Sequence, residues 1–262
     1  MIVAGCDVGS LTAKAVIMNG SILGSAVIKA RAKPEESAAE VMNQALAKAG
    51  LKMEDISFCV GTGYGRSKIP FVNLTMSEIA CHGKGAQWIM PSVRTVIDIG
   101  GQDCKAMRLD KDGNVLKFST NDKCAAGTGR FLEVMAKLLG VSLDELGTIS
   151  DNAKDPLSLS STCTVWVQAE VIHHLNSRKP IEDIAAAINK AMAIRVAILA
   201  NHVSAEKDIC MSGGVAKNKG VVANLEKILG MKIKKLKYDP QIVGAIGAAV
   251  IAGEKAKGGN KS

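Results

Sequence analysis

The chain has 262 residues, of which 47% are hydrophobic and 22% charged, with a formal net charge of +8. That is enough apolar material for one large domain or two small ones, in the proportions of a soluble globular protein. No apolar run approaches the ~18 residues that span a bilayer, so no membrane association is expected.

Residue 1 leads straight into a strand, without a basic leader, which makes the cytoplasm the expected location. Two Trp, two Tyr and four Phe do not interleave with the basic residues, so nucleic acid is not an expected partner. The densest basic group, Lys232, Lys234, Lys235 and Lys237, alternates with Met231, Ile233 and Leu236. It reads as an edge strand over 231–237 with one wet face.

In chain order, an apolar run at 1–3 leads to Asp7-Val8-Gly9-Ser10-Leu11-Thr12-Ala13-Lys14-Ala15 and a second apolar run at 15–18. This is a strand, a tight glycine turn and a second strand. A third strand is predicted at 21–29, and an amphipathic helix at 35–49 with Ala38, Val41, Met42, Ala45, Leu46 and Ala49 on one stripe. A short strand at 56–60 ends in Gly61-Thr62-Gly63-Tyr64-Gly65-Arg66, a tight turn in which Arg66 is a candidate partner contact. A helix at 75–90 leads to the second half.

The pattern then repeats. Strands are predicted at 93–99, 104–110 and 114–119, with Asp112-Gly113 as a hairpin turn. Asp98-Ile99-Gly100-Gly101-Gln102-Asp103-Cys104-Lys105-Ala106 lies over residues 7–15 without a gap, matching at the Asp, the first Gly, the Lys and the final Ala. Glycine lets backbone N–H groups approach phosphate oxygens, and an Asp at a strand end can hold hydrated Mg2+. Two such hairpins are expected to clamp the phosphates of one nucleotide.

Helices follow at 128–139, at 165–176 (opened by Ser160, Ser161, Thr162 and Thr164 as capping residues) and at 181–202. A strand at 208–211 runs into Ser212-Gly213-Gly214, a helix at 216–229 follows, and a helix at 240–254 precedes a frayed tail at 255–262. Two domains are expected: residues 1–90 with 240–262, and residues 91–239.

None of the seven cysteines forms a C-x-x-C pair, which argues against an intrachain zinc ribbon. Cys6, Cys59 and Cys210 read as core residues, Cys81 lies in a helix, and Cys104 is ambiguous. Cys124 and Cys163 each lie near a predicted helix start, where partial positive charge favours thiolate and anionic ligands. Two thiolates are half an iron–sulfur ligand set, which a twofold dimer would complete. Two unrelated capping-region cysteines would give the same spacing.

On residues 7–14, 98–105 and 212–218 the chain resembles the actin, Hsp70 and sugar-kinase ATPase superfamily. That resemblance implies duplicated RNase H-like α/β lobes with a nucleotide cleft between them. By position, Gly9, Ser10, Leu11, Thr12, Ala13 and Lys14 would form the first phosphate loop, and Gly100, Gly101 and Gln102 the second. Asp7 and Asp98 would hold hydrated Mg2+, one of them orienting the attacking water, while Lys14 neutralises phosphate charge. Gly213, Gly214 and Asn218 would receive the nucleoside of ATP or ADP, with Gln241 and Gly244 completing the pocket.

Residues 96–105, 121–132 and 160–165 more specifically resemble the activator component of 2-hydroxyacyl-CoA dehydratases. Similarity extends over the whole chain, including 61–66 and 212–218. The resemblance implies a homodimer in which Cys124 and Cys163 of both subunits hold one [4Fe-4S] cluster. It further implies an ATPase that sends single electrons to a separate dehydratase in anaerobic metabolism, with a reduced ferredoxin or flavodoxin as electron source. The ATPase subunits of benzoyl-CoA reductase are related and form the alternative, followed by a cluster-free kinase of the same fold.

Overall fold

Residues 1–121, 124–155, 157–159 and 163–258 are described by a computed structural model. In chain order, the first half comprises β1 (Val3–Val8), β2 (Thr12–Asn19), β3 (Ser21–Lys29), α1 (Pro34–Ala49), β4 (Phe58–Thr62), β5 (Leu74–Thr75) and α2 (Glu78–Ile89). The strands β6 (Thr95–Ile99), β7 (Cys104–Leu109) and β8 (Val115–Asn121) follow. Next come α3 (Gly129–Leu139), α4 (Leu143–Ile149), α5 (Thr164–Asn176) and α6 (Ile181–His202). The chain continues through β9 (Ile209–Ser212), α7 (Lys219–Leu229), β10 (Ile233–Lys234) and α8 (Val243–Gly258).

The strands form two five-stranded sheets, ordered β3-β2-β1-β4-β5 and β10-β9-β6-β7-β8. In both, the first strand is central, its second and third strands lie on one side, and the fourth and fifth on the other. The duplication read from two nine-residue stretches is thus a duplication of whole sheets. In the first sheet β1 pairs antiparallel with β2 and parallel with β4.

Strand periodicity builds two cores around the first sheet. Ala13, Ala15 and Ile17 of β2 join α1 residues Val41, Met42 and Ala45, while Val16 and Met18 face the other way and join Ala245, Ala248 and Ala249 of α8. With both faces covered, these strands are continuous apolar runs. Around the second sheet, Ile97, Ile99 and Ala106 pack with Phe131, Leu132 and Met135 of α3 and with Ile188 and Met192 of α6.

The chain divides into two compact units. The first is Met1–Val96, Leu109–Leu116 and the described part of Leu236–Ser262; the second is Ile97–Arg108 with the described part of Lys117–Lys235. Residues 109–116 therefore group with the first unit rather than with the 91–239 stretch that carries them in sequence. The Lys84 ammonium donates to the Asp112 carbonyl at 2.9 Å and Gln87 donates to Lys111 at 3.3 Å, so α2 holds the β7–β8 turn.

Several boundaries move for identifiable reasons. The edge strand expected over 231–237 is two residues long, paired only through Ile233 and Lys234 with Ile209 and Cys210. Two of its four lysines are engaged in ion pairs: Lys232 with Glu226 at 2.8 Å and Lys234 with Asp208 at 2.6 Å. Instead of fraying at 255, α8 continues to Gly258, where Lys255 and Lys257 complement the C-terminal dipole; residues 259–262 lie outside the described residues. Helix α4 was not expected, although Ser142 and Glu145 form a capping box at its start.

The capping roles expected of Ser160, Ser161 and Thr162 also fall outside the described residues. Cys163 itself is the N-cap of α5. The Thr164 hydroxyl is buried with no hydrogen-bond partner among the described residues, so it caps nothing.

Candidate functional site

In the first unit the turn is closed by the Gly9 N–H donating to the Thr12 carbonyl at 3.1 Å. Asp7 of β1 faces Lys14 of β2 in register, and the Lys14 ammonium lies 3.2 Å from the Asp7 carboxylate. Both side chains are largely buried, so the charges compensate each other where water is scarce. Ser10 is exposed and Leu11 half-buried. The Ala13 methyl lies in the core, leaving only its backbone to meet a ligand.

The second unit repeats this geometry. The Gly100 N–H donates to the Asp103 carbonyl at 3.0 Å. Asp98 is 4% exposed and accepts a 2.8 Å hydrogen bond from the Ser212 hydroxyl. The Lys105 ammonium pairs with Asp103 and lies 4.0 Å from Asp98. Asp103, absent from the expected site, adds a carboxylate where the first turn has Thr12; the Asp-x-Lys spacing on one strand face was its sequence signal. Cys104 occupies the core position equivalent to Ala13, which settles its ambiguity.

The neighbouring strand in each sheet contributes a glycine beside each buried Asp. Gly213 has φ +83°, and a Cβ there would lie 2.2 Å from the Ile99 carbonyl and 3.1 Å from the Asp98 carboxylate. Gly63 has φ +92°, and its Cβ would lie 2.4 Å from the Val8 carbonyl and 2.5 Å from Asp7. Thr62-Gly63 after β4 is therefore the counterpart of Ser212-Gly213 after β9. The stretch 61–66 is part of the repeat, and a strand followed by Gly-Thr-Gly was the available signal.

Other candidate residues fall as follows. Asn218 caps α7, its carbonyl oxygen accepting from the Val221 N–H at 2.9 Å while its amide donates to Asn189 at 3.2 Å. Gly214 opens the short helical turn before it. Gln102 is exposed beside Gly101 in the second turn. The Gln241 N–H donates to the Asp239 side chain at 2.9 Å. The side-chain atoms nearest the missing Cβ of Gly244 are His82 Nε2 at 2.8 Å and Asp7 Oδ2 at 3.2 Å. Its small size makes room beside Asp7, and the buried His82 of α2 joins that site. Helix packing brings His82 there, and no local pattern announces it.

Two of the seven cysteines differ from the rest. Burial pushes the thiols of Cys59, Cys81 and Cys210 up to about 12, and those of Cys6 and Cys104 upward as well. These five are core residues unsuited to act as thiolates. Cys124 is half-buried and Cys163 exposed. Among the described residues no group of three or more His, Cys, Asp and Glu could hold a metal ion. Cys124 and Cys163 are two accessible thiols, half the number of ligands that a [4Fe-4S] cluster takes.

Cys163 stands at the start of α5. At Cys124 the expected helix effect is modified. Helix α3 begins five residues later, and its first amides are already occupied: Gly129 N–H donates to the Gly100 carbonyl at 2.8 Å and Arg130 N–H to Gly101 at 2.9 Å. The Cys124 segment is held by Asn121, whose amide donates to the carbonyls of Cys124 (3.1 Å) and Ala126 (2.7 Å).

The chain is similar to known proteins. The 2-hydroxyisocaproyl-CoA dehydratase activator of Clostridioides difficile is 42% identical over 262 residues, covering 100% of this chain and 98% of its own. The structure of the activator of the 2-hydroxyisocaproyl-CoA dehydratase from Clostridium difficile with bound ADPNP superposes with a TM-score of 0.94 at 42% identity, over 100% of this chain and 97% of that one. A benzoyl-CoA reductase component from Thauera aromatica is 34% identical over 83% of this chain and 78% of its own length. A ROK family glucokinase from Streptomyces griseus shares the fold alone, with a TM-score of 0.59 at 12% identity over 97% of this chain and 100% of that one. The fold is that of the actin, Hsp70 and sugar-kinase ATPases, and the resemblance to dehydratase activators holds over the full length. With residues 4–252 matched by its profile, the chain belongs to the BadF/BadG/BcrA/BcrD ATPase family.

Proposed function

We propose that this chain is an ATP-dependent one-electron donor that reductively activates a 2-hydroxyacyl-CoA dehydratase. The observation that carries the reading is the pair of accessible thiols, Cys124 and Cys163, in a chain 42% identical to a dehydratase activator. Two identical subunits would each contribute both thiols to one [4Fe-4S] cluster, which when bound supplies single electrons at low potential. Val165 and Trp166, two and three residues after Cys163 and 69% and 67% exposed, are apolar surface suited to burial against a second copy.

The chain's own residues account for the nucleotide half of the reaction. Gly9 and Ser10 in one unit, and Gly100 and Gly101 in the other, present backbone to phosphate. Asp7 and Asp98 are the carboxylates for hydrated Mg2+, and the Ser212 hydroxyl fixes the orientation of Asp98. Lys14, paired with Asp7 in the absence of ligand, would neutralise phosphate charge with its ammonium, while Asp7 would hold the hydrated cation. Lifting one electron by about 300 mV takes roughly 7 kcal/mol, since each tenfold factor is about 59 mV for one electron. That need explains joining an ATPase to a redox centre.

A reduced ferredoxin or flavodoxin would supply the electron, and the cytoplasm is the compartment in which all partners meet. Counting iron and acid-labile sulfide in protein purified without air tests the proposal. About four of each per two chains is expected, the content of one cubane. Iron-free protein with phosphotransfer activity towards a sugar would instead make the chain a kinase.

A further inference from the structure

The second phosphate turn and the Cys124 segment are joined by backbone. Gly129 and Arg130, the first two residues of α3, donate their N–H groups to the carbonyls of Gly100 and Gly101 at 2.8 and 2.9 Å. Those amides lie at the positive end of the helix and would otherwise need another acceptor. Residue 129 must be small for this contact, because a Cβ there would lie 3.0 Å from the Gly100 carbonyl and 3.5 Å from the Gly101 Cα. Upstream, the Thr128 hydroxyl donates to the Ala125 carbonyl at 2.7 Å, and Asn121 ties the carbonyls of Cys124 and Ala126 to the end of β8. The segment from Cys124 to Arg130 is therefore hydrogen-bonded to β8 at one end and to the phosphate turn at the other.

The first unit has no such link among the described residues. The backbone bonds at its turn run from Gly9 to Thr12, from Ala30 to Leu11 and from Gly65 to Val8, none from the start of an α-helix. The repeat thus differs between its copies at the point where one of them is followed by an accessible cysteine.

We infer that Gly129 is a positioning residue: through its N–H and that of Arg130, the peptide planes of Gly100 and Gly101 report whether phosphate is bound, and so set the position of Cys124. A peptide unit whose N–H turns towards a phosphate moves its carbonyl with it, because the unit is planar. The carbonyls of Gly100 and Gly101 hold α3, so their rotation shifts the helix start and the 124–128 turn attached to it. This rests on the proposed function for the meaning of phosphate and Cys124, but the hydrogen-bonded link itself belongs to the fold.

The test is amide hydrogen exchange across residues 124–130 of the anaerobically purified protein, with and without Mg2+ and ADP or ADPNP. Nucleotide should change exchange at Gly129, Arg130 and the 124–128 segment by roughly 5-fold or more, the lower end of ordinary coupling between sites. In Gly129→Ala the protein should still bind nucleotide while the 124–128 segment loses that response. In Thr128→Val, which removes the hydroxyl bond to Ala125, the response should persist at Gly129 and Arg130 and fade at Cys124. Wild-type protein that binds nucleotide and holds iron but exchanges identically in both states overturns the inference alone. So does an undiminished response at 124–128 in both variants. Protein that binds no nucleotide, or holds no iron, overturns the proposed function and this inference with it.

Discussion

Gly63 and Gly213 occupy equivalent places, each after the strand adjoining its hairpin's first strand, each with positive φ and each beside a buried Asp. A side chain would meet the backbone carbonyl of Val8 or Ile99, and neither carbonyl can retreat, because each belongs to the strand that carries the Asp. Gly20 gives the comparison, with φ +75° and nothing within 4 Å of the missing Cβ. Gly20→Ala should cost only the left-handed backbone penalty, about 1 kcal/mol. Gly213→Ala adds the steric conflict and should cost roughly 3 kcal/mol or more, with a matching loss of ATP affinity. Urea unfolding of the two variants measures the difference; equal costs would show that the Gly213 turn accommodates a methyl without moving Ile99.

Between elements, a buried amide network fixes three helices of the second unit. Asn189 of α6 is fully buried; its amide donates to the Leu146 carbonyl of α4 at 3.1 Å and to the Ser150 hydroxyl at 3.0 Å, and its oxygen accepts from Asn218 at the start of α7. Asn189→Leu would strand the Leu146 carbonyl and the Asn218 amide in an apolar interior. A loss of about 2–4 kcal/mol is expected, from 1–3 kcal/mol for each unsatisfied group. Chemical unfolding should record it, and a loss under about 0.5 kcal/mol would mean water or rotation replaces the network. This network also marks where the sequence stops being legible. The hairpins were readable because turn chemistry is local: Asp, Gly and Lys at fixed offsets determine it. Helices α1, α3 and α6 were readable from their apolar stripes or lengths. His82 beside Asp7, Gly244 with them, and Asn218 bound to Asn189 arise from packing between distant segments, and nothing in their immediate sequence encodes those neighbours. Helix α4 lies between these cases: its Ser142-x-x-Glu145 box is local, but its seven residues are too few for a periodic signal.

At the scale of the molecule, the phosphate turns and the accessible cysteines occupy different residues and should fail separately. Lys14→Ala removes the cation beside Asp7 and leaves Cys124 and Cys163 in the chain, and Cys163 lies at the start of α5, outside both turns. Lys14→Ala should therefore lower ATP hydrolysis by about 100-fold, of the order expected when one charge-stabilising donor is removed, and retain its iron. Cys163→Ser should lose its iron–sulfur absorbance and still bind ATP. Both measurements belong on the same anaerobic preparations, with iron and nucleotide counted per chain. If Lys14→Ala also lost its iron, the turns would be needed to build the cysteine site, and the two halves would form one structural unit. If Cys163→Ser kept its full iron content, a ligand other than Cys163 would complete the set, and the shared-cluster reading would fail while the ATPase reading stood. The expected pattern, each variant losing one function and keeping the other, is what a fold must give if phosphate and electron chemistry occur at separate places, coupled through the hydrogen bonds from Gly129 and Arg130 to the Gly100–Gly101 turn.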